Sequence, residues 1–329
     1  MLNLSLILFV AFELCYYLLI AQTGIVEFFG SDLTLIAYMP LGGIIGSLLS
    51  TYIHYNLKRK LQFLLLLQLA VTFFYPNLNF VMLFILGLSV GALAPLIIES
   101  LKNATKNDFI AILSISYVLG TSLFNTPVEN RMIYGIVFTA ISFLSVCFLT
   151  SREIQKTKMT NKSINYPIIM MMLWVFLDSA LFETLSRDIQ IPIWRGGFTY
   201  EIMLFHIVGV VFAIKLQLHY KHKEMMIGSF FALSYLFYFI REPLLLSIVY
   251  PFVISYYNTI ILQELIKIRN IKQIGISMLL IGWVSSGAGL FFALENLMMF
   301  IPIIFLLFTI ASELFSGNKP NSQQGVYYV

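Results

Sequence analysis

Long apolar runs separated by short polar punctuation dominate this chain. They fall near 2–21, 33–53, 61–75, 79–98, 109–125, 132–150, 167–185, 200–218, 225–240, 243–263, 273–291 and 294–314. A membrane-crossing helix needs about 20 mostly apolar residues, and most runs approach that length without the alternation of an outer-membrane strand. Only helices and closed barrels satisfy every backbone group inside a bilayer, so the pattern selects a helical bundle. The reading is an all-α polytopic membrane protein with about twelve transmembrane helices. The third and ninth runs are short and end at the hairpin signals Pro76-Asn77 and Arg241-Glu242-Pro243, so ten or eleven helices stay open.

Composition sharpens this. Of 329 residues, 59% are hydrophobic and 11% charged, with a mean hydropathy of +0.88, against about 45–50% and about 25% in soluble domains. Twelve spans would leave only about 90 residues for loops and ends, too few for a separate globular domain. Cys15 and Cys147 both lie in apolar runs and imply no disulfide framework. The first run lacks a basic start and carries Glu13, which reads as a first spanning helix rather than a cleaved signal.

Charge sets the orientation. With alternate loops assigned to one side, fifteen of the twenty Lys and Arg residues gather there, including Lys58-Arg59-Lys60, Lys102, Lys106, Lys267 and Lys272. Arg131, Arg187, Arg195 and Arg241 fall on the other side, and Lys215 near a helix end. The positive-inside rule then places both termini in the cytoplasm of a multi-pass protein of bacterial inner-membrane type. Net charge of +4 is thus topological, and no nucleic-acid face is expected.

The polar, basic stretch 151–166 divides the chain near its midpoint. The expected organisation is a six-helix bundle over 1–150, a cytoplasmic linker over 151–166, a second six-helix bundle over 167–315 and a tail over 316–329. An offset of 165 sets Glu13 on Asp178, His54-Tyr55 on His219-Tyr220, and Glu99 with Lys102 on Glu264 with Lys267. Internal repeats of this kind are common in transporters, and the two bundles are expected to be pseudo-symmetric.

Six plus six helices, a basic central linker and a parallel repeat resemble the major facilitator superfamily. The run Gly87-Leu-Ser-Val-Gly91-Ala-Leu-Ala-Pro95 is similar to that family's GxxxGxxxP stretch, and Gly46 with Lys58-Arg59-Lys60 is similar to part of its loop between helices two and three. Ser50 stands where the family usually has an aspartate, and its arginine on helix four is absent. The resemblance implies two bundles that rock about a central site lined by helices one and seven. It carries over no substrate.

Glu13 and Asp178 sit mid-helix, where an ionisable side chain costs about 2.5–3.5 kcal/mol on insertion scales and so faces a partner or a wet cavity. If both face one cavity, the pair can take up and release a proton or hold a cation. Plain burial with a hydrogen bond from a neighbouring helix is the alternative for each. Tyr17 and Trp174, beside these acids, and Tyr256, Tyr257 and Asn258, beyond Pro251, are substrate-contact candidates, although packing or a proline kink explains them too. Glu99, Glu264, Arg187 and Arg195 are gate candidates, with solvated helix ends or interfacial anchors as the alternative. His206 reads as a proton relay or a core histidine. Met170-Met171-Met172 and Met298-Met299 raise copper(I), but consecutive methionines point in different directions, and filler is the better reading.

No zinc spacing, phosphate loop or nucleophile–base pattern stands in the sequence, so no enzyme, metal or cofactor is expected. The expectation is a monomeric secondary transporter that moves a small solute by alternating access, coupled to protons through Glu13 and Asp178. A non-transporting receptor or scaffold, and a copper or lipid translocator, are the rival readings.

Overall fold

The computed structural model describes residues 3–30, 32–52, 56–149, 167–188, 190–216, 218–306 and 310. The linker and tail expected at 151–166 and 316–329, and His54-Tyr55, lie outside them.

Every regular element among the described residues is helical: α1 (Leu4–Phe29), α2 (Leu33–Tyr52), α3 (Leu57–Thr72), α4 (Phe80–Leu101), α5 (Lys106–Leu123), α6 (Val128–Phe148), α7 (Ile168–Arg187), α8 (Thr199–Lys215), α9 (Tyr220–Phe239), α10 (Pro243–Leu265) and α11 (Ile271–Leu294). A further helical stretch, entered through Met298–Phe300, continues over 301–306. Seven of these, α1, α2, α4, α6, α7, α10 and α11, are long and apolar enough to cross a membrane. The spans expected at 61–75, 109–125, 200–218 and 225–240 are helices near those places but shorter or more polar, and the one expected at 294–314 lies partly outside the described residues. The chain is a multi-pass membrane protein.

Polar residues start many of these helices. Asn3, Asp32, Asn56, Asn79, Thr105 and Asn270 each accept a backbone N–H of the first turn, satisfying donors that a helix start leaves unpaired. Large apolar side chains then point outward, among them Leu41 and Leu49 of α2, Phe63 and Leu66 of α3, and Ile133 and Leu144 of α6. In water that surface would be an aggregation site; in lipid it is the expected exterior.

In lipid, close packing rather than hydrophobic expulsion holds helices together. Helix α2 lies along α4 through glycines on both: Gly42 and Gly46 face the carbonyls of Phe84 and Leu88, while Gly87 and Gly91 face those of Met39 and Gly43. Ser47 Oγ crosses the same seam to donate to Gly91 O at 3.0 Å. Helix α1 packs on α5 and α6, α7 on α11, and α8 and α9 on α10. Contacts between earlier and later helices run chiefly along α2–α11 and α5–α8. There Gly275 abuts Ser47, and Gly43 abuts the Trp283 ring.

Two helices contain a widened π-helical stretch, Tyr17–Gln22 in α1 and Leu279–Ser285 in α11. Each is closed by a hydroxyl bonded five residues back: Thr23 Oγ1 donates to Leu18 O at 2.7 Å, and Ser285 Oγ to Leu280 O at 3.0 Å. Such stretches are frequent at functional sites, and here both border the central cavity described next.

Candidate functional site

A cavity of about 310 Å³ lies between α1, α4 and α5 on one side and α7, α8, α10 and α11 on the other. Glu13 and Asp178 both line it, as do Tyr17, Tyr257 and Asn258. On α7 the lining stripe is Val175, Asp178, Ser179 and Phe182, the i, i+3, i+4, i+7 face of a helix. Glycine makes room on α5, where a Cβ at Gly120 would meet the Leu18 side chain at 2.6 Å.

The two carboxylates are held differently. Glu13 is buried and accepts from Gln68 Nε2 of α3 at 3.2 Å. That amide also donates to Thr139 Oγ1 of α6 at 3.1 Å, so Glu13 belongs to a polar link through α1, α3 and α6. Asp178 is half-buried and takes two phenols of α10: Tyr250 donates to Oδ1 at 2.8 Å and Tyr257 to Oδ2. Asn258 in turn bonds the hydroxyls of Tyr117 and Tyr257.

Aromatic rings wall the cavity beside Asp178. Tyr117 of α5 stacks on His206 of α8 with centroids 4.3 Å apart and planes 5° from parallel. Trp194 lies 6.3 Å beyond His206 and meets Phe124 and Phe182 at 5.7 and 5.4 Å. His206 Nδ1 and Trp194 Nε1 are buried without a hydrogen-bond partner.

Beyond these rings, Glu27 at the end of α1 joins two arginines. Arg131 of α6 and Arg195 of the α7–α8 connection each reach it at 2.8 Å. Both guanidinium groups also lie against the Phe124 ring, 5.9 and 5.8 Å from its centroid. Arg131 is fully buried and donates to Thr126 O, Phe124 O, Thr23 Oγ1 and Leu19 O.

Several expected residues fall elsewhere. Trp174 and Tyr256 are buried but do not line the cavity. Each sits one residue, about 100° of helix, before a lining residue, Val175 and Tyr257. Tyr256 instead stacks on Phe252 at 5.7 Å. Glu99 and Glu264 also lie off the cavity, each ion-paired with the lysine three residues on, Lys102 and Lys267. Arg187 is exposed and donates to Glu183 O of its own helix at 3.0 Å, whereas Arg195 makes the bridge to Glu27. Among the described residues, no group of three or more His, Cys, Asp and Glu side chains comes together.

Other lining residues were not singled out by sequence: Gln22, Tyr117, Ser179, Trp283 and Ser286. Ser179 Oγ donates to Ser286 O at 2.8 Å, joining α7 to α11. The polar residue Gln22, just past the expected end of the first run, was the one visible signal. Glu183, buried one turn beyond Ser179, bonds Gln22 across the α1–α7 boundary.

No protein-family model matches the chain, and no curated protein matches its sequence. A crystal structure of a bacterial homologue of the iron transporter ferroportin, in an outward-facing state, is similar with a TM-score of 0.54. The likeness covers 96% of this chain and 97% of that one at 12% identity. At that identity the likeness speaks to the fold alone: the helices of the two chains share one arrangement over nearly their whole length.

Proposed function

We propose that this chain is a secondary active transporter of the major facilitator superfamily. It moves a small solute by alternating access, in exchange or in step with protons carried on Glu13 and Asp178. The observation that carries the reading is the single cavity onto which both mid-helix carboxylates open. Charged groups at that depth are retained where a pathway uses them, and the full-length likeness to a transporter homologue supports the same use.

In this reading α1 to α6 and the helices from α7 onward form two six-helix bundles that rock about the α2–α11 and α5–α8 seams. The Lys58 end faces the cytoplasm with both termini, in a bacterial inner-membrane setting, and the Glu27 end faces outward. The protein works as a monomer. Protonation of either carboxylate removes a charge from the cavity, which changes what the empty cavity costs in each orientation. That differential is what couples two equilibria.

The test uses proteoliposomes with an internal pH-sensitive dye, an imposed pH gradient and a panel of small solutes. A solute-dependent proton flux, absent from protein-free liposomes and reduced about ten-fold or more in Glu13→Gln, is expected. A Glu13→Gln variant as active as the parent overturns the coupling role, and no solute-dependent flux overturns the transporter reading.

A further inference from the structure

We infer that the cavity takes an organic cation with an aromatic body, its positive centre seated at the Asp178 carboxylate. This deepens the transport reading and rests on it for the cavity being a solute site.

Charge comes first. Among the described residues lining the cavity, Glu13 and Asp178 are acidic and none is Lys or Arg. An anion would therefore enter a negative chamber with no counter-charge, inside a low-dielectric bilayer where that mismatch is most costly.

Shape and chemistry narrow the cation. A bare divalent ion takes four to eight ligands in a tight shell. Asp178 offers one carboxylate whose two oxygens already accept from Tyr250 and Tyr257. No group of three or more His, Cys, Asp or Glu side chains forms among the described residues. The cavity, at about 310 Å³, falls in the size range of organic ligand sites. Tyr117, Tyr257, Trp194 and His206 line the same cavity, and aromatic side chains suit the apolar body of an organic cation.

A second, independent observation points to a ligand. His206 is 3% exposed and Trp194 5%, yet His206 Nδ1 and Trp194 Nε1 have no partner. Buried polar atoms are normally satisfied, so these two atoms mark this wall as a place where an occupant sits. Asp178 is the acid at this wall, and Glu13 is held by Gln68 on the opposite one.

The test measures equilibrium binding to the purified full chain in detergent. Radiolabelled tetraphenylphosphonium is the probe, tetraphenylborate is the anion of the same shape, and Fe²⁺ is the metal arm. Saturable phosphonium binding, no saturable borate binding, and a loss of about ten- to a hundred-fold in Asp178→Asn are expected. The cation–anion comparison on the unmodified chain decides the charge question even if Asp178→Asn fails to fold. Equal binding of the two ions, absent phosphonium binding, or Fe²⁺ binding that phosphonium cannot displace overturns the inference. So does full affinity in an Asp178→Asn protein that melts with the parent. Binding without solute-dependent proton flux would sink the transporter reading and leave the cation site standing; flux without binding would do the reverse.

Discussion

Replacing Gly87 by alanine should separate α2 from α4. A Cβ built there lies 1.9 Å from Met39 O and 2.8 Å from Met39 C, both backbone atoms that cannot rotate away. Ordinary contact begins near 3.4 Å, so the helices must part by about 1.5 Å at that level. A gap of even about 0.5–1 Å forfeits a quarter to a half of each dispersion contact. The Ser47 Oγ to Gly91 O bond, one turn along at 3.0 Å, would stretch beyond hydrogen-bonding range. Overpacking typically costs about 1–3 kcal/mol and a lost hydrogen bond about 1 kcal/mol, giving about 2–4 kcal/mol together. Gly287 of α11 is the control: a Cβ there meets nothing within 4 Å, so Gly287→Ala should melt with the parent or slightly above it. Thermal unfolding in detergent can be followed by a thiol-reactive dye, because Cys15 is buried and free. Gly87→Ala should melt several degrees lower. If it melts with the parent, or if Gly287→Ala falls equally, the backbone-on-backbone account of this seam is wrong.

Two further outcomes follow from named contacts. Arg195 and Glu27 are 46% and 30% exposed as side chains, so their pair is worth about 0.2–1 kcal/mol. Arg195→Ala should therefore raise opening at the Glu27 end by about 1.4- to 5-fold; an impermeant thiol reagent reading Thr121→Cys, in a chain without other cysteines, would refute this with an unchanged labelling rate. Thr105→Ala removes a capping box in which Thr105 Oγ1 accepts from Asp108 N and Asp108 accepts from Thr105 N. It should cost about 0.5–2 kcal/mol in the same melt, with Thr105→Ser largely restoring stability.

Helix positions were largely legible because lipid imposes one rule on every span: apolar throughout, punctuated by polar ends. The rule misleads where a polar residue continues a helix. The first run is expected to stop near 21, yet α1 continues to Phe29, because Thr23 satisfies a carbonyl freed in the widened turn. Its true end is Gly30, whose φ of 61° suits a residue without a Cβ. Asp178 and Glu13 were legible because charge in an apolar run is rare. Helical phase was not: the mean run is apolar on all faces, so nothing in the pattern told Tyr256 from Tyr257 or Trp174 from Val175. The Glu27–Arg131–Arg195 bridge joins residues more than 100 positions apart, and no periodicity records such a meeting.

The differing partners of the two acids bear on how coupling would work. Glu13 is tied through Gln68 and Thr139 to α3 and α6, and Asp178 through Tyr250 and Tyr257 to α10. A change of charge at either carboxylate is thus felt first by its own group of helices. Both groups border the cavity and whatever occupies it. An occupant touching both walls adds to the direct links between them, the Gln22–Glu183 and Tyr117–Asn258 bonds, and makes their energies more interdependent. On the transport reading, this makes the solute itself a link between proton binding and reorientation. Glu13→Gln should then alter proton coupling while sparing cation affinity, and Asp178→Asn should damage both.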